Sequence, residues 1–108
     1  MMIETQILRD KYPRLIPNPF GFECNAGWVG LLDEFFAAVE RELPPTAVFQ
    51  LRQVKEKLGT LRIYFGIDGD VPVEVWRAIN EAESRAQAWA YEQAWQLLHG
   101  RLSRPCGR

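Results

Sequence analysis

The sequence predicts an α+β fold: an antiparallel β-hairpin, open to a third strand, packed against an amphipathic helix and a long C-terminal helix. Three observations carry this. From Gln50 to Phe65 two strand-like runs flank a turn at Leu58-Gly59-Thr60, and after it Leu61, Ile63 and Phe65 alternate with Arg62. From Trp28 to Leu43 the apolar residues Trp28, Leu31, Leu32, Phe35, Phe36, Val39 and Leu43 recur at helical intervals. From Pro72 a second helical pattern runs to about His99.

Taken in order, Glu4 to Tyr12 suits a short helix with Ile7 and Leu8 inward, ended by Pro13. Pro17, Pro19 and Gly21 make a stiff connection whose Phe20 and Phe22 pin it to the core. The next helix carries Asp33, Glu34, Glu40, Arg41 and Glu42 on its outer face and stops at Pro44-Pro45. Phe49 and Leu51 open the first strand of the hairpin. Gly59 supplies the positive φ of a tight turn. With Leu58 and Gly59 in that turn, Lys57 faces Thr60, Glu56 faces Leu61, Lys55 faces Arg62 and Val54 faces Ile63. The Lys55–Arg62 pair is like-charged and costs stability unless an anion meets it. Asp68-Gly69-Asp70 is a turn, Pro72 and Glu74 suit a helix start, and Gly100 suits its end. Leu31, Leu32, Phe35, Val39, Val54, Leu61, Ile63, Phe65 and Ile79 are the expected core. Residues 1–100 read as a single domain and 101–108 as a flexible tail.

The last helix is too long for its domain. Its 27 or so residues span about 40 Å, whereas a globule of this size spans about 35 Å. Either it breaks near Ser84, or its end projects and packs on something else. Ala78, Ala82, Ala86, Ala90 and Ala94 recur every four residues and allow a close helix approach. Trp89 and Trp95 lie on the same stretch. Trp89, Trp95, Ala86 and Ala90 are therefore the expected partner-binding residues, for another protein or a second copy of the chain.

The 108 residues, 47% hydrophobic and 25% charged, are those of an ordinary globular domain. A formal net charge of -1 gives no bulk electrostatic attraction to nucleic acid or anionic membrane. No apolar run approaches the roughly 20 residues of a membrane helix, and the N-terminus lacks the pattern of a signal peptide. Cys24 and Cys106 are accordingly expected as free thiols in a reducing compartment. The one histidine, His99, reads as a cation at a helix C-terminus. No metal-ligand spacing, phosphate-cradling glycine loop or nucleophile–base pairing stands out, so neither a cofactor nor an enzymatic activity is expected. Arg52, Lys55, Lys57 and Arg62 make a small basic surface on the hairpin, diluted by Glu56, on which Tyr64 could stack a base. Nucleic acid ranks second to protein as a partner, with weak binding or none expected.

Gly27-Trp28 with Leu31-Leu32-Asp33-Glu34, then Val54-Lys55-Glu56-Lys57-Leu58-Gly59-Thr60-Leu61-Arg62, then Ile79 with Ala82-Glu83-Ser84 form a recognisable series. Over roughly residues 20 to 85 the chain resembles a family of small uncharacterised bacteriophage and prophage proteins. Relatives in that family often follow an Ala-Glu-x-Ser element, to which Ala82-Glu83-Ser84 corresponds here without the intervening residue, with a Cys-x-x-Cys-Gly knuckle. This chain runs instead through Arg85-Ala86-Gln87-Ala88-Trp89 and keeps only Cys106-Gly107, so a family zinc site does not carry over. The resemblance implies a phage setting and a bacterial cytoplasm. In that setting the expected function is a non-catalytic protein binder, of which an inhibitor of a host defence component, in the manner of anti-CRISPR proteins, is one form.

Overall fold

In the computed structural model, which describes residues 2–17, 20–24, 28–57 and 60–99 and the side chains of 6–17, 20–24, 28–57 and 60–92, the chain is α+β as expected. The element order is α1 (Met2–Lys11), β1 (Phe22–Glu23), α2 (Val29–Glu42), β2 (Val48–Lys57), β3 (Thr60–Asp68) and α3 (Val73–His99). The strands form one sheet in the order β1-β2-β3. β2 and β3 are antiparallel, in the register expected from Lys57–Thr60 to Val54–Ile63. The positions expected to turn, Leu58 and Gly59, lie outside the described residues. The third strand makes the sheet mixed. β1 pairs parallel to β2, Phe22 with Val54 and Glu23 with Lys55, and α2 supplies the crossover that a parallel pair needs. Phe22 thus sits in a strand and not in the irregular connection the prolines suggested.

The core lies between the sheet and the helices. Phe35, Phe36, Leu8, Leu15, Leu32, Leu61, Ile79, Val39 and Val54 are its largest fully buried side chains. Every expected core residue belongs to it, with Leu31 and Phe65 half-buried at its margin. Aromatic rings carry much of the packing. Phe35 meets Phe36, Phe49 and Phe65, and Phe36 meets Phe22 edge-on. α1 differs from expectation on one side: Leu8 is buried but Ile7 is exposed. Beyond Lys11 the chain turns over residues 13–16, with Leu15 and Ile16 donating to the Tyr12 carbonyl, and both side chains enter the core. Pro13 ends the helix without ending the burial.

α2 ends as its sequence dictates. Leu43, the residue before a proline, is extended at ψ 126 while its N–H still reaches the Val39 carbonyl. Gly69 takes φ 110, which a side chain would strain, and a Cβ there would stand 3.2 Å from the Ala47 backbone. α3 begins with Val75 and Trp76 donating to the Pro72 carbonyl. It is a single helix of 27 residues with no break at Ser84. The principal extents of 47 × 31 × 21 Å accommodate it.

Candidate binding surfaces

The long helix places its candidates on different faces. Ala82, Ala86 and Ala90 are buried in the chain's own core. The close approach that the alanine row permits is therefore used by this chain's own packing, with Ala82 and Ala86 set against Leu31 and Phe35 of α2. This corrects the expectation that Ala86 and Ala90 meet a partner. Trp89 stands beside them at the rim, 55% exposed, and Tyr91 is 57% exposed. The Trp95 side chain, like those of His99 and Cys106, lies outside the described residues. α2 has 14 residues to α3's 27, so α3 outruns its principal helical neighbour by about half its length. An open depression of ≈ 360 Å³ runs along Trp76, Asn80 and Ser84 nearer its start, and all its lining comes from that one helix.

The hairpin candidates converge. Partnered residues on neighbouring strands project to one face. Val54 with Ile63, Leu51 with Phe65 and Phe49 with Ile67 turn to the core. Lys57 with Thr60, Lys55 with Arg62 and Gln53 with Tyr64 turn away from it. Strict alternation would send Arg52 to the core side, since it stands an odd number of residues from Lys55. A β-bulge between Leu51 and Gln53 absorbs one residue and resolves this. Leu51 and Phe49 are thereby returned to the core, and Arg52 joins the lysines outside.

The outer face is organised by polar contacts. Arg52 Nη2 donates to Gln50 Oε1 at 3.1 Å, and Gln50 Nε2 donates to Asp68 Oδ2 at 2.9 Å. The guanidinium lies over Gly66, where a Cβ would come within 2.8 Å of Nη2. That role of Gly66 was not anticipated, although a glycine inside a strand commonly marks a close approach. Arg62 Nε donates to Thr60 Oγ1 at 3.1 Å, and that hydroxyl donates to the Lys57 carbonyl. Lys55 Nζ sits 5.8 Å from the centroid of the Tyr64 ring, which is 42% exposed. Among the described residues no carboxylate stands within ion-pairing distance of Arg52, Lys55, Lys57 or Arg62. Glu56, opposite Leu61, points to the other side of the sheet.

Cys24 is half-buried. Burial, with a smaller push from the nearby Glu56 carboxylate, raises its thiol to about 11, so it is protonated at neutral pH. No group of three or more potential metal ligands occurs among the described residues, and no described helix is long and apolar enough to cross a membrane. Comparison with known proteins finds no matching family, no related sequence and no similar solved structure.

Proposed function

We propose that this chain is a non-catalytic protein-binding module that docks through the second half of α3, with Trp89 as its anchor and Trp95 further along the same helix. The observation that carries this is Trp89 itself, an indole more than half exposed on a helix that extends well past its neighbour. Large exposed aromatics concentrate binding energy at interfaces. The phage resemblance makes the partner a host or phage protein, and inhibition of a host defence component is the specific form proposed. Capture of the tagged protein from host cells, with and without nuclease, tests the class. A protein partner should survive nuclease and be lost with Trp89→Ala. Truncating a buried interface aromatic commonly costs at least about 2 kcal/mol, a roughly thirtyfold weakening. Sedimentation at micromolar concentration separates a second copy of the chain from a foreign partner. A partner that binds Trp89→Ala as tightly as the wild type would overturn this reading.

A further inference from the structure

The outer face of the β2–β3 hairpin is left without cover by the helices, which lie on the other side of the sheet. It carries Arg52, Lys55, Lys57 and Arg62 around an exposed Tyr64. Charge and shape together select one occupant, and we propose that this face binds single-stranded nucleic acid. Two arguments carry the choice, neither involving α3.

The first is charge complementarity. Lys55 and Arg62 are direct cross-strand partners, a like-charge pair that Glu23, in register with Lys55 on β1, offsets from one side only and that an anion beside Arg62 would relieve from the other. Same-face residues of a strand repeat at about 6.8 Å, so Lys57 and Lys55 present regularly spaced cations along β2. The bulge continues that row by bringing Arg52 to the same side. A polyphosphate backbone is the repeating anion such a row fits. Glu23, in register with Lys55 on β1, and Asp68, held by Gln50, bound the cationic area at two margins and confine the path of the backbone along the hairpin.

The second argument is Tyr64. It lies amid the cations, not at the hairpin tip, with its ring accessible and Lys55 beside it. In a duplex the base faces are already stacked on one another and offer an open ring nothing. An unstacked base offers it a full π-face, worth about 1–3 kcal/mol per base. An acidic peptide would satisfy the lysines and leave Tyr64 unused.

The test is titration of the full-length protein with a fluorescent (dT)20 strand, the matching 20-bp duplex and poly-glutamate across a salt series. Single-stranded DNA should bind best. Its log–log salt slope should lie at about -2 to -3, the value for three or four phosphate contacts. Lys55→Ala and Arg62→Ala should each flatten that slope by about 0.7. Tyr64→Leu should weaken binding about tenfold or more, while Tyr64→Phe, which keeps the ring, should bind like the wild type. Tyr64 is exposed, and matching melting curves for both variants establish that the loss is not unfolding. Trp89→Ala should leave the titration unchanged, so failure here and failure of the α3 reading are separable. The proposal is overturned by no binding at low salt, by equal or tighter binding of duplex or poly-glutamate, or by a Tyr64→Leu protein that binds normally.

Discussion

Tyr12 joins the end of α1 to α2 through one hydroxyl. It donates to Asp33 Oδ1 at 2.7 Å and approaches the Asp33 carbonyl at 3.2 Å, while Lys11 Nζ pairs with the same carboxylate at 3.0 Å. Burial, then the Asp33 hydrogen bond and charge, push the Tyr12 phenol up to about 12. For Asp33, burial raises the pKa, but the Tyr12 hydroxyl and Lys11 outweigh it and hold the carboxyl below its usual range. The two residues therefore act at opposite ends of the pH scale. The folded phenol keeps its proton where the unfolded one has lost it. Its contribution is complete below pH 10 and disappears as pH rises towards 12. The Asp33 contribution is present above the ordinary carboxylate range and disappears as pH falls through its lowered value. Urea melts from pH 9 to 12 should show the alkaline step in the wild type and not in Tyr12→Phe. At the centre of the core, Leu61 is 0% exposed, and Leu61→Ala should cost about 2–5 kcal/mol in the same assay at neutral pH. A loss below 1 kcal/mol would mean that the core face has been misassigned.

Between elements, the bulge at Arg52 decides which side chains the sheet buries. Deleting Arg52 removes the extra residue and forces a choice: the β2–β3 pairing near the turn survives, or Leu51 and Phe49 stay in the core. Burial of two such side chains is worth roughly 1.5–3 kcal/mol each. The deletion should therefore lower stability by several kcal/mol in thermal or urea melts, whereas Arg52→Ala, which keeps the backbone count, should be nearly neutral. The hairpin register was legible in the sequence because a two-residue turn and the apolar alternation after Gly59 agree with each other. The bulge does have a sequence signal, since strict alternation cannot bury Phe49 and Leu51 on the same face as Val54, but the polar run Arg52-Gln53 leaves its position open. β1 escaped notice because two residues are too few to show a period, and its pairing depends on where α2 returns the chain. The alanine row was read correctly as a surface for close approach but given to the wrong neighbour. Periodicity reports that a face is small and apolar; only the tertiary fold reports that α2 occupies it.

In the whole molecule the two proposed surfaces are set apart by the sheet. The helices fill one side of it, and Trp89 stands at their margin. The cations lie on the opposite side, and a partner on α3 leaves them free. The sequence made the basic cluster visible as a list, and the strand register adds that Arg62, Lys55 and Lys57 share one face. With Lys+Arg 13 and Asp+Glu 14, the chain is nearly neutral overall. Segregation of charge by the sheet, not total charge, creates the local field.

β1 holds to β2 by two residue pairs, far fewer than join β2 to β3. Its attachment rests on Phe22 meeting Phe36 and on Arg9 Nη1 donating to the Phe20 carbonyl at 2.9 Å. A segment held this way opens without the rest of the sheet, so its amides should lose hydrogen-exchange protection by a local route. Deuterium uptake should be fast at Phe22 and Glu23 and slow at Val54 and Ile63, with Arg9→Ala accelerating only the first pair. Each such opening also carries Glu23 away from Lys55. An open β1 would leave Lys55 without the carboxylate that stands in register with it, and the outer face of β2 and β3 correspondingly more positive.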